Sequence, residues 1–182
     1  MFDTPIKLSS FASELVTDTA IDRYAKMCVG EYPAAALATP EQRNQLEQMS
    51  VELVLGDVSN QDLAKCCLSG IWLLFGELER SHDISQVIKT QEGSFWHGLM
   101  HRLEPDFWNS KYWYRNVGDH PVVASIQSLA GASYPFDFVD DCESVIEQRG
   151  VAEATTNQVE MIAREEWKRL FAFCWHHATH AK

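Results

Sequence analysis

The stretch that decides the fold is LAKCCLSGIWLLFGEL, residues 63–78. Wound at 100° per residue, its apolar side chains (Leu63, Cys67, Ile71, Trp72, Leu74, Phe75, Leu78) go almost all round the helix. Such a helix has no face to offer water, so 63–78 is expected to be a buried central helix. The run is too short to span a bilayer. Glu77 lies within it and needs a partner, because a carboxylate on an apolar face is costly unless paired.

The punctuation on both sides is helical. TPEQ at 39–42 reads as a capping box, with Thr39 as cap, Pro40 in the first turn and Gln42 reaching back. SNQD at 59–62 opens another helix, with Ser59 as its expected cap. Pro121 and Pro135 mark further starts, and Gly131 and Gly150 mark stops. Helices are expected near 9–29, 40–55, 60–79, 82–89, 92–104, 106–116, 121–130, 136–149 and 155–179. The expectation is one compact all-α domain, 1–182, of about eight or nine helices. On the last helix, Val159, Ala163, Leu170 and Cys174 make an inner stripe into which Glu166 projects, so Glu166 also needs a partner.

A net charge of −11 repels nucleic acid and anionic membranes at long range. The N-terminal MFDTPIKLSS lacks the basic and apolar regions of a signal peptide, which points to a soluble, cytoplasmic protein. Five cysteines (Cys28, Cys66, Cys67, Cys142, Cys174) without a C-x-x-C pair argue against a zinc ribbon or a disulfide framework. They are expected to act as small hydrophobes. Within 95–115, Arg102, Lys111 and Arg115 outnumber Glu104 and Asp106. A locally positive island on an acidic protein suits a small anionic molecule.

WHGLMHRLEPD, residues 96–106, carries the chemistry. His97, His101 and Glu104 fall within about 60° on one helix face. Phe95, Trp96, Leu99, Met100 and Leu103 cover the other side. Imidazoles at i and i+4 can converge on one cation, and a carboxylate a turn later could complete a three-ligand set, with His82 as a further ligand. Mixed imidazole and carboxylate ligation suits zinc, iron or manganese. The position after His97 is Gly98, so this is not H-E-x-x-H. A solvated helix face is an equally ready reading of the same residues.

Gly98 inside a helix suggests close approach by another group. Pro105 ends the helix, and Asp106 can cap the next one, folding Asp106 and Asn109 back toward the site. Glu104 and Asp106 are then the candidate acid–base groups. Trp108, Lys111, Tyr112 and Arg115 share a face of the following helix, where stacked cations could grip a flat or anionic ligand. Arg102 and Asn109 join them as candidate ligand-binding residues. Glu77, Glu166 and His120 are further candidates for the site's surroundings. The His/Glu face opposes the helix's apolar side, so a working site needs a second wall from the 81–89 turn, from Glu166's helix or from a partner chain in a homodimer.

The run resembles a motif of an uncharacterised family of bacterial and fungal proteins, carried here by Trp96, His97, Gly98, Met100, His101, Arg102, Glu104, Pro105, Asp106, Asn109, Lys111, Tyr112, Trp113, Arg115, Gly118, His120 and Pro121. It covers 96–121. The family pattern commonly has arginine where this chain has Leu103 and Asn116, so the resemblance implies a sparser anion clamp here. It locates a site without naming a reaction. Three functions remain open: a metal-dependent enzyme, a non-catalytic binding module with an aromatic, cationic pocket, and a structural protein-interaction domain.

Overall fold

The computed structural model of the chain describes residues 6, 8–33, 37–147 and 152–180, and every regular element among them is a helix. In chain order they are α1 (Ser10–Leu15), α2 (Asp18–Met27), α3 (Pro40–Gln48), α4 (Val51–Leu55), α5 (Gln61–Leu74), α6 (Leu78–Ser85), α7 (Gln91–Leu103), α8 (Phe107–Val117), α9 (Pro121–Ala130), α10 (Phe136–Ile146) and α11 (Glu153–Thr179). The described residues thus form eleven helices rather than eight or nine. Two of the expected helices are each divided by an internal cap. Thr17 accepts from the Ala20 amide and starts α2, and Ser50 accepts from the Leu53 amide and starts α4.

The Thr39/Gln42 capping box of α3 is present. At α5 the cap is Asn60, whose side chain accepts from the Leu63 amide, while Ser59 donates its hydroxyl to the Ala178 carbonyl. The segment 63–78 is not one helix. Gly76, at φ +68°, takes a conformation most residues avoid, so α5 ends at Leu74 and α6 begins at Leu78. Glu77 therefore leaves the interior and meets Arg43 at 3.4 Å. Gly150 lies outside the described residues, as does the end of the helix expected to run to 149.

The interior is built where α5, α7 and α11 meet. α5 packs against α2, α4, α6, α7 and α11. At its middle, Gly70 lets the Trp96 ring of α7 lie on bare backbone, since a Cβ there would stand 2.5 Å from that ring. From α11, Trp167 donates its indole N–H to the Gly70 carbonyl at 2.9 Å. Both indoles are fully buried. Burial of an aromatic of this size is worth roughly 4–6 kcal/mol by area, as an upper bound.

A second junction is polar. Arg102 of α7 and Glu166 of α11, both with no solvent exposure, form an ion pair. Arg102 Nη1 donates to Glu166 Oε1 at 3.2 Å and to the Tyr114 hydroxyl at 2.8 Å, and Nη2 donates to Tyr24 at 3.2 Å. Tyr114 and Tyr134 donate to Glu166 Oε1. Burial pushes all three tyrosines well above the ordinary phenol range, so they stay neutral, Tyr114 and Tyr134 as donors to Glu166 and Tyr24 as an acceptor from Arg102. Residues from α2, α7, α8, α11 and the turn before α10 are thereby tied to one point.

These two junctions hold α7 so tightly that every residue from Gly93 to Leu103 is buried. Its apolar side packs on α5, so its histidine side must face another wall, and α6 and α8 supply it. Ser110 of α8 donates to the Gly98 carbonyl at 2.8 Å, and a Cβ on Gly98 would meet α8 at 3.5 Å, an ordinary contact. All five cysteines are buried and unpaired. Burial raises the Cys28 and Cys142 thiols, keeping them protonated. Among the described residues, no helix is long and apolar enough to cross a membrane.

Candidate metal centre

Three imidazoles come together where α6 crosses α7. His97 and His101 stand one turn apart on α7, and His82 reaches them from α6. One ligand nitrogen from each lies within 4.8 Å of those of the other two. Ring centroids are 4.7 Å apart for His82–His97 and for His97–His101, and 5.8 Å for His82–His101. His97 is 2% exposed and His101 is 6% exposed. The Trp113 ring closes over His97 at 4.1 Å.

Hydrogen-bond partners assign the ring nitrogens. The single hydroxyl hydrogen of Ser85 goes to the Ser81 carbonyl at 2.8 Å. Ser85 Oγ, 3.0 Å from His97 Nδ1, is then free to accept the Nδ1–H. His101 Nδ1 lies 3.1 Å from Glu104 Oε2, which as a carboxylate can only accept. Both rings are therefore protonated on Nδ1 and keep a lone pair on Nε2. Asn109 donates Nδ2–H to His101 Nε2 at 3.1 Å.

Burial pushes His97 down to about 3, with His101, His82 and Lys89 adding to the effect. Burial also lowers His101, against an opposing pull from Glu104. Both imidazoles are neutral near pH 7, which is the ligating form.

The expected triple of His97, His101 and Glu104 does not meet as one group. Glu104, whose side chain is 53% exposed, stands on the Nδ1 side of His101. Asp106 accepts from the Asn109 amide as the cap of α8, and its other oxygen is 4.0 Å from His101 Nδ1. His101, Glu104 and Asp106 make a separate group with ligand atoms within 4.8 Å, sharing only His101 with the histidine trio. His82 takes the place in the trio that Glu104 was expected to fill. Two helices rather than one then supply the trio.

The expected cation clamp is dispersed for clear reasons. Arg102 points into the core, where Glu166 and two tyrosines take bonds from its two Nη groups. Lys111 pairs with Asp140 of α10. The Arg115 guanidinium lies over Phe136 at 5.8 Å, because α8 packs that side against α10. Trp108 and Tyr112 stack with centroids 6.3 Å apart, and Trp108 is 74% exposed. Asn109 and Tyr112 do reach the site. His120 lies elsewhere, accepting from the Val122 amide and meeting Glu92 at 3.4 Å.

Above the histidines lies an open cleft of about 360 Å³. Gln86 and Lys89 form its rim on the α6 side, and Asn109, Tyr112 and Trp113 form it on the α8 side. Ser85, Gln86 and Lys89 were not singled out from the sequence, although Ser85 and Gln86 follow His82 at helical i+3 and i+4 spacing. Comparison with protein-family models, with curated proteins and with solved structures found no match.

Proposed function

We propose that the chain is a metal-dependent enzyme acting on a small anionic molecule, with one divalent ion held by His82, His97 and His101. The observation that carries this reading is the pair of buried, neutral imidazoles with Nδ1 satisfied and Nε2 on the cleft side, where His101 Nε2 accepts only from the Asn109 amide, beside a third histidine. A ligating histidine characteristically donates its second N–H to a carboxylate or other acceptor, as His101 does to Glu104 and His97 to Ser85. Glu104 acts here as a positioning residue, fixing the His101 ring, and Asp106 holds the start of α8 under Asn109. Three neutral nitrogen donors suit zinc or ferrous iron better than manganese, which favours oxygen. A divalent ion on three imidazoles would supply Lewis acidity beside open coordination positions.

A second reading, a non-catalytic binding module, is favoured by one observation. Among the described residues none lining the cleft is a carboxylate, so with the histidines taken as ligands no carboxylate general base lines it. Elemental analysis of protein purified without chelators tests the metal. About one zinc or iron per chain, lost in His97→Ala and in His82→Ala, supports the site. A metal content unchanged by both substitutions, or no uptake from zinc-replete buffer, contradicts it.

A further inference from the structure

The residues first expected to hold an anion face away from the cleft, yet one cation remains at its edge. Lys89 lines the cleft together with the histidines. Its ammonium donates to the Gln86 carbonyl at 2.9 Å, and among the described residues it has no carboxylate partner. The other lining residues are histidines, the amides of Gln86 and Asn109, and the rings of Tyr112 and Trp113. An ion bound by three imidazoles would add positive charge, which Glu104 and Asp106 behind His101 would offset only in part, and no carboxylate among the lining residues would offset the lysine.

The opposite wall has a definite shape. Trp113 stands over His97, and Tyr112 meets Trp113 edge to face at 5.6 Å and 86°. Two aromatic surfaces at a right angle form a corner that receives a flat ring. A cleft of about 360 Å³ is at the small end for ligand sites, enough for a single ring with a short substituent.

We infer that Lys89 is the anion-recognition residue of this cleft, and that the ligand class is a small planar carboxylate whose ring lies against Trp113 and Tyr112 while its carboxylate faces the Lys89 ammonium. The inference deepens the proposed function and shares its cleft, but Lys89 and the aromatic corner do not require the ion. The discrimination is electrostatic: a neutral amide of the same shape would fill the corner and gain nothing from Lys89.

The experiment is a calorimetric titration of the full chain, metal-free and zinc-loaded, with benzoate and with its neutral isostere benzamide. The expected result is a preference for benzoate of about ten-fold or more in both states. In the metal-free chain Lys89→Gln abolishes the preference and Lys89→Arg keeps it, and neither changes zinc uptake. Trp113→Leu weakens both ligands together. No benzoate binding in either state, or an unchanged preference in metal-free Lys89→Gln, would overturn the inference. Zinc uptake is read separately, so a chain that prefers benzoate but takes up no zinc would sink the metal reading and leave the Lys89 assignment standing.

Discussion

Two buried polar clusters lie on opposite sides of α7, and they differ in what they leave unmade. Arg102 and Glu166 are enclosed by three tyrosine hydroxyls, and their hydrogen bonds run from one protein group to another. His97 and His101 are nearly as buried, yet both open onto a cleft, and only the His101 Nε2 lone pair is taken, by the Asn109 amide. The ion pair acts as a lock between helices, with Arg102 Nε the one guanidinium donor group left without a partner among the described residues. His97 is hydrogen-bonded on its Ser85 side, and a ligand on His101 Nε2 would take the place of the Asn109 hydrogen bond. Chemistry on a buried helix is thus distinguished less by residue type than by whether the polar cluster opens onto a cleft.

The largest expected effect is on the lock. Arg102→Met would leave the Glu166 carboxylate buried without its cation and should cost about 3–5 kcal/mol in urea unfolding. The double variant Arg102→Met, Glu166→Met should be more stable than that single variant, because no unpaired charge remains. A single-variant loss below about 1 kcal/mol would mean that the cluster is not the lock described.

Next comes the apolar junction beside it. Gly70→Ala places a Cβ 2.5 Å from the Trp96 ring and should destabilise by about 1–3 kcal/mol. Since Trp96 precedes His97, the same variant should weaken zinc uptake, whereas Gly98→Ala, with only ordinary contacts, should not. Equal zinc uptake in both variants would show that the packing of α7 on α5 does not set the site.

A smaller effect separates the clusters by pH. Folding holds His97 near 3 by burial, against about 6.5 when unfolded. The unfolded chain therefore takes up a proton below pH 6.5 that the folded chain refuses. This contribution is complete above that pH and is lost as pH falls toward 3. The slope is about 1.4 kcal/mol per pH unit for each such imidazole. His101 acts in the same direction but less, because Glu104 opposes it. In metal-free protein, unfolding between pH 6.5 and 5 should show this slope, and His97→Gln should flatten it. An unchanged slope in that variant would place the titration elsewhere.

The helical character of the chain was legible because the caps and periodicities are local. What escaped were two short-range caps, Thr17 and Ser50, hidden within longer amphipathic runs. A single glycine turn at Gly76 also escaped, and it moves Glu77 to the surface and His82 onto α7. The need of Glu166 for a partner could be read from its place on an inner stripe. Its partner could have been found as well, since Arg102 projects about 100° from His101, toward the apolar side of α7. Assigning Arg102 to an anion treated local charge as exposed charge. His97 and His101 follow from i, i+4 spacing alone, but the choice between His82 and Glu104 depends on how α6 crosses α7, a packing relation that no local pattern encodes.

The central claim, that His82, His97 and His101 form one ligand-ready site while Arg102 and Glu166 form a lock, is tested most directly by titrating zinc into metal-free wild type and His101→Ala while recording unfolding stability. The account predicts about one zinc per wild-type chain, with stabilisation that rises with free zinc as for any ligand of the folded state. It predicts no uptake by His101→Ala, whose metal-free stability should stay within about 1 kcal/mol of wild type. Equal zinc uptake by both chains, or a wild type whose stability is indifferent to zinc, would contradict it.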